Sequence, residues 1–181
     1  MGLPPPFREC FHPVRRHLNA IEAQLRRLSH ELRPTILDDL GLLPALQFLV
    51  EGVSARTGLR ISVDGAIAGR LAPTLETALY RIMQEGLTNV IKHAAATHVQ
   101  LQLWRDARIV HGRLHDDGVG FAVDQVMRRK EPRGLGLLGI QERLEMLGGT
   151  LRITSASGHG TTLCIALPLE SEEGSPGAGR T

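Results

Sequence analysis

Glu85, Asn89 and Lys92 stand at positions i, i+4 and i+7 of the stretch QEGLTNVIKHA, residues 84–94. On a helix that spacing draws an acid, an amide and a base along one line, at the rim of a face carrying Leu79, Leu87, Val90 and Ala94. A solvated face would also hold polar groups, so the stripe alone does not separate chemistry from solubility. In HDDGVGF, residues 115–121, Asp116 sits at a strand exit, and Gly118 and Gly120 remove side chains where a flat ligand could approach the backbone. In RGLGLLGIQERL, residues 133–144, Gly134, Gly136 and Gly139 spell a literal G-x-G-x-x-G running into a helix-like segment. Such spacing lets backbone come close to phosphate. Finally SGHGTTL, residues 157–163, frames a turn with Gly158 and Gly160 and follows it with Thr161 and Thr162. Alone, a hairpin turn explains it.

A dinucleotide site of the Rossmann type does not fit the glycine triplet. That site needs a strand immediately before the glycines and an acid about 20 positions on, after a second strand. Here DQVMRRKEPR precedes them, charged and prolyl, and the following strand TLRITSA ends in Ser and Ala. The Walker pattern is absent. His111 and His115 have a metal-like spacing but lie on a strand with no third ligand, and no Ser/His/Asp or Cys/His set has a supporting motif.

The elements that must hold these residues change character once, near residue 58. Val14, Leu18, Ile21, Leu25, Leu28 and Leu32 recur at steps of four and three, a narrow seam of the coiled-coil type that favours a dimer bundle over packing on its own domain. Pro34 ends that helix, and ILDDLGLLPALQFLVEGVSARTG predicts a second one stopped by Gly58. From Leu59 onward LRISVDG, HVQLQLWRD, ARIVHGRLHDD, TLRITSA and TTLCIALPL alternate as strands, while APTLETALYRIMQEGLTNVIKHA and GIQERLEMLGG form helices. The second and third strands meet through RDA as a hairpin, so the sheet is mixed and largely antiparallel. The expected fold is α+β, a two-layer α/β sandwich preceded by helices. The expected organisation is a disordered lead-in at 1–12, a helical segment at 13–57, a catalytic domain at 58–169 and a disordered tail at 170–181.

Bulk properties narrow the classes. With 21 basic and 19 acidic residues the net charge is only +2, too balanced for a nucleic-acid footprint, and 3% aromatics leave few stacking platforms. The longest apolar run, around Leu40–Val50, is interrupted by Gly41, Pro44 and Gln47, so no membrane span is expected. Cys10 and Cys164 have no pairing pattern, and no signal layout opens the chain, which points to the cytoplasm. An anchor on a longer protein stays open.

Taken in order, the four glycine and asparagine stretches resemble the ATP-binding domain of histidine kinases and their superfamily, the Bergerat fold. The asparagine box is Glu85–His93, the first glycine box Asp116–Gly120, the second Gly134–Leu137, and the last turn Gly158–Thr161. LRP…LDDLGLLPAL at 32–46 and GIQERLEMLGG at 139–149 extend the likeness to the branch that pairs with nitrate-response-type regulators. The resemblance implies ATP and Mg²⁺ as cofactors, a response regulator as partner and a homodimer in the full-length protein. It implies that Asp116 accepts from the exocyclic amine of adenine, that Asn89 gives an oxygen to Mg²⁺, and that Lys92 and His93 lie against phosphate oxygens. Glu85 becomes the candidate general base. Gly118 and Gly120 border the base. Gly134, Leu135, Gly136 and Leu137 present backbone to the phosphates, Thr161 closes the base pocket, and residues 122–133 form the lid. Catalysis then rests on positioning and charge neutralisation. An anti-sigma-type serine kinase on the same fold, or a nucleotide-binding dimer module without turnover, are the alternatives.

His30, in LRRLSHELRP, resembles the phospho-acceptor phrase of common histidine kinases but lacks the Thr before Pro34. In the nitrate-response branch LRP marks the end of the second dimerisation helix, with the acceptor some tens of residues upstream. His30 is therefore either an acceptor or a solvated residue of that second helix. The second reading is the expectation, with little self-phosphorylation by this chain.

Overall fold

The structure, a computed structural model, describes residues 35–123 and 135–169. The expected lead-in, the leucine seam with His30, residues 124–133 of the expected lid, Gly134 and the tail lie outside the described residues.

Two short stretches of helix open the described chain. α1 (Thr35–Leu40) and α2 (Leu42–Thr57) replace the single helix expected there. The break is Gly41, at φ 85°, a conformation that L side chains rarely adopt. α2 ends as expected at Gly58, left-handed at φ 73°, with its N–H on the Ser54 carbonyl at 2.9 Å.

β1 (Arg60–Ala66), β2 (His98–Arg105), β3 (Ile109–Asp116), β4 (Thr150–Ser155) and β5 (Thr161–Pro168) form one sheet in the order β1-β2-β3-β5-β4. Only β1 and β2 run parallel; every other pair is antiparallel. This is the mixed, largely antiparallel sheet that the strand patterns predict. The β2–β3 turn is tied by Asp106, whose carboxylate accepts from the N–H of Arg108 and of Ile109, both at 2.8 Å.

Alternation sorts the sheet into two faces. Val99, Leu101, Leu103, Val110, Leu114, Leu163, Ile165 and Leu167 are buried on one. Gln100, Gln102, His111, Arg113, His115, Thr162 and Cys164 occupy the alternate positions and are only partly buried. Between β1 and β2 runs α3 (Pro73–Asn89), started by Pro73 at its first turn, where a missing N–H costs nothing. Leu75, Leu79, Ile82, Met83 and Leu87 recur at helical spacing and join the core, each side chain contributing roughly 1.5–3 kcal/mol of burial. α3 lies close on β3, because a Cβ on Gly86 would stand 2.8 Å from a methyl of Leu114. α4 (Leu135–Met146) packs beside α3 and β4, burying Ile140 and Leu144. It starts four residues earlier than GIQERLEMLGG suggests, so Gly136 and Gly139 are helical.

Leu37, Leu42, Ala45, Leu46 and Val50 belong to the same core as the sheet. The change near residue 58 is thus one of secondary structure within a shared core. Arg70 secures the join: it donates to both carboxylate oxygens of Glu76 at 2.9 Å, and to the carbonyls of Leu37 at 2.7 Å and Asp38 at 3.2 Å. The last carbonyls of α1 are thereby met by a cation, and the buried Glu76 in the first turn of α3 holds that cation in place. Among the described residues no helix is long and apolar enough to cross a membrane.

Candidate functional site

The expected site residues fall into two groups, joined by the end of the asparagine-box helix. The first comprises Glu85 and Asn89 on the last turn of α3, with Gly136 on the first turn of α4. A Cβ on Gly136 would lie 2.5 Å from Oε1 of Glu85, 2.9 Å from Oδ1 of Asn89 and 3.2 Å from its Nδ2. Glycine is therefore what lets the second glycine box come down on the asparagine box. Among the described residues Nδ2 of Asn89 is buried without a hydrogen-bond partner. A buried donor left so is costly and calls for an acceptor. Leu137 packs partly against the core, and Leu135 begins the helix.

Beyond Asn89 the helix does not continue as α. Val90–Ala94 form a π turn, closed by Ala95 at φ 48°. The straight i, i+4, i+7 stripe is therefore corrected at its third member, because i→i+5 bonding changes the angular step before Lys92 is reached. Lys92 and His93 are both exposed on this turn, with no ion pair among the described residues.

The second group surrounds Asp116. Its position at the end of β3 is on the core face, in phase with Val110 and Leu114, and it is 2% exposed. Its carboxylate accepts from the Gly118 N–H at 2.9 Å and from the backbone N–H of Thr161. Burial raises its pKa; those two N–H groups and the charge of His115 pull against the rise without cancelling it. Gly118 is pressed between Ala94 and the Asp116 carboxylate, and the Val119 N–H donates to the Ala94 carbonyl at 2.8 Å. The π turn and the first glycine box are thus bonded together. Gly120, at φ 61°, leaves no room for a Cβ against the carbonyl of Ala156, and Val119 O accepts from the Gly158 N–H at 2.7 Å. The two glycine turns interlock.

Two contributors have no motif in the sequence. Ser155, at the end of β4, accepts from the Phe121 N–H at 2.9 Å, donates to the Gly160 carbonyl at 2.9 Å and lies 3.0 Å from Oγ1 of Thr161. Asp117, the plain neighbour of Asp116, accepts from the N–H of His98 at 2.9 Å, the hydroxyl of Thr97 and its N–H, each at 2.7 Å. These bonds hold its carboxyl well below the usual range, the His98 N–H foremost. Asp117 thereby ties the start of β2 to the first glycine box. His111 and His115 have protein partners, Asp106 at 3.1 Å and Thr162 at 2.9 Å.

The structure thus sets a buried acceptor between glycine turns, and a carboxylate and an amide under a glycine at a helix start. The family model described as histidine kinase-, DNA gyrase B- and HSP90-like ATPase matches residues 74–171. The chain belongs to this family of ATP-binding domains. It is 40% identical over 153 residues to the sensor histidine kinase MctS of Rhizobium johnstonii, covering 83% of this chain and 32% of that protein. It is 35% identical over 161 residues to the histidine-protein kinase/phosphatase DegS of Brevibacillus brevis, covering 88% of this chain and 41% of that protein. The chain thus spans well under half the length of these relatives. The fold is shared with the mycobacterial sensor histidine kinase MprB, at a TM-score of 0.54 and 23% identity over 70% of this chain and 93% of that one.

Proposed function

We propose that this chain is the catalytic core of a two-component sensor histidine kinase, which binds Mg-ATP and transfers the γ-phosphoryl group to a histidine, from which it passes to an aspartate of a response regulator. The observation that carries the reading is the convergence on Gly136 of Glu85 and of Asn89, whose amide holds a buried donor without a partner among the described residues. The names of the relatives, a sensor histidine kinase and a signal transduction histidine-protein kinase/phosphatase, support the same activity.

At the base end Asp116 accepts from the 6-amine of adenine, a donor that guanine lacks at that position, and Thr161 closes the pocket. Gly118 and Gly120, expected to admit the ring, instead let the turn around Asp116 close against Ala94 and Ala156. At the phosphate end Asn89 fits a Mg-phosphate group: its oxygen suits the metal and its orphaned Nδ2 suits a phosphate oxygen. When bound, Mg²⁺ neutralises phosphate charge as the bond to the leaving ADP breaks. The exposed Lys92 offers positive charge there and His93 a ring N–H, and the backbone of Leu135, Gly136 and Leu137 offers N–H groups at the α4 start. Glu85 accepts the proton of the attacking imidazole as its other nitrogen bonds to phosphorus. The seam at 14–32 forms a homodimer in the full-length protein, in the cytoplasm, and the acceptor is a histidine other than His30.

Calorimetric titration with Mg-ATP tests the reading. The wild-type chain binds, and Asp116→Asn abolishes measurable binding while leaving the fold intact, because the amide no longer acts purely as an acceptor. Unchanged affinity in the variant removes Asp116 from the site.

A further inference from the structure

Asp116, Thr161 and Ser155 lie side by side across three strands. Asp116 is register partner of Thr161 in the β3–β5 pair, and Ser155 is register partner of Thr161 in the β5–β4 pair. Directly paired residues project to the same face of a sheet. The two nearest the base pocket are a carboxylate and a hydroxyl, and a hydroxyl can either donate or accept. Which it does decides what kind of base edge the pocket reads.

Hydrogen accounting settles the polarity. A serine hydroxyl has one proton and two lone pairs. Ser155 Oγ meets three partners: the Phe121 N–H at 2.9 Å, the Gly160 carbonyl at 2.9 Å and Thr161 Oγ1 at 3.0 Å. The N–H only donates, so it takes one lone pair. The carbonyl only accepts, so it takes the one proton. What remains for Thr161 is the second lone pair, and Thr161 must donate into it. That contact uses the only proton of the Thr161 hydroxyl, and among the described residues Ser155 is its sole side-chain partner. Thr161 is left with lone pairs alone to offer elsewhere.

We infer that Ser155 is a specificity-determining residue: by fixing the Thr161 hydroxyl as an acceptor beside the Asp116 carboxylate, it makes the base pocket a reader of donors only. The inference rests on Asp116 and Thr161 facing the nucleotide base, as proposed above. A purine with an amine at C6 carries two N–H donors and satisfies such a pocket. A purine with an oxygen at C6 sets that oxygen against two acceptors and keeps only its N1–H to donate. Ser155 acts through Thr161 and is a positioning residue; it need not touch the nucleotide.

The test uses ATP and inosine 5′-triphosphate, in which a 6-oxygen replaces the 6-amine and N1 carries a proton. Dissociation constants for both are measured on the wild-type chain, Ser155→Ala and Ser155→Thr. The wild type prefers ATP. In Ser155→Ala the Thr161 hydroxyl is free to turn its proton to the base, and the preference narrows by about tenfold, the worth of one hydrogen bond changed in sign. Ser155→Thr keeps the hydroxyl and restores the preference; a change of stability alone would weaken both ligands equally and leave the ratio unmoved. If Ser155→Ala does not fold, Thr161→Val, close in shape and lacking the hydroxyl, reports from the other side and narrows the ratio likewise. A preference unchanged in Ser155→Ala, or in Thr161→Val where that variant stands in, overturns the inference. Absence of ATP binding by the wild type would remove the nucleotide reading and this inference with it, whereas ATP binding with a ratio indifferent to Ser155 removes this inference alone.

Discussion

Gly160 stands directly against the backbone of Asp116: a Cβ placed on Gly160 would strike the Asp116 carbonyl oxygen, and the residue is held at φ 67°. Gly158, two residues earlier, has a similar φ of 79° but nothing within 4 Å of such a Cβ. The pair separates conformational strain from collision. Gly158→Ala should cost about 1 kcal/mol, from its left-handed backbone alone. Gly160→Ala should cost more than that and, on the proposed role of Asp116, should also weaken ATP binding, since the carbonyl that must yield belongs to that residue. Urea denaturation of both variants and a nucleotide titration check this; equal losses would place the collision elsewhere.

Burial raises the pKa of Asp116, and the sign of its effect on stability follows. Between its ordinary value and the raised one, the unfolded chain has released the proton while the folded chain keeps it. The folded state then binds more protons, so stability from this group falls as pH rises through that window. ATP affinity moves the other way: protonation removes the acceptor, so affinity drops on acidification at a higher pH than an ordinary aspartate would cause. Calorimetry over a descending pH series should show the drop, and an affinity flat down to the ordinary carboxylate range would exclude Asp116 as the titrating group.

At the phosphate end, Asn89→Ala should keep some ATP affinity in EDTA but lose the gain that added Mg²⁺ brings. Survival of the Mg²⁺ dependence would show that another oxygen holds the metal. Gly136→Ala should act on the same readout, because its methyl would crowd Glu85 and Asn89. Those are ends of side chains that can swing aside, so the melting temperature should change little while nucleotide binding weakens.

Arg70 and Glu76 form a clamp that also holds the last carbonyls of α1. Arg70→Ala should lower the melting temperature by several degrees, because Glu76 is left buried without its bidentate partner. Glu76→Gln in addition should cost less than it does alone. Strict additivity in that double-mutant cycle would mean that the two side chains act independently.

Incubation with γ-labelled ATP should give little or no label on the chain. Acid-labile label that disappears in His30→Gln would make His30 the acceptor.

Most of the strands were legible because one face of the sheet is packed and the other is not, so that HVQLQLW and TTLCIAL alternate in type as well as in space. Their full order was not, since β5 reaches β3 through register pairs that no local pattern encodes. The start of α4 was hidden by Gly134, Gly136 and Gly139, which lower helix propensity although tertiary contact with α3 overrides it. Gly41 was visible as an interruption of an apolar run, but its role as a break between two helices depends on Arg70, 29 residues on in the sequence and beside it in space. Within the candidate site, side chains with a motif could be singled out from the sequence and side chains with only partners could not. Ser155 closes TLRITS as any strand might end; its significance lies in three hydrogen bonds to residues from two other segments.

The π turn at Val90–Ala94 makes residue number, as well as residue type, part of the site. An α-helix advances about 100° per residue. Deleting a single residue between Asn89 and Ala94 would let the ladder relax to i→i+4 and rotate everything after it by roughly that angle. Glu85 and Asn89 would keep their places, but the carbonyl of Ala94 would swing away from the Val119 N–H that it now receives. The two halves of the site would still carry every expected side chain and yet be out of step, like gears assembled one tooth apart.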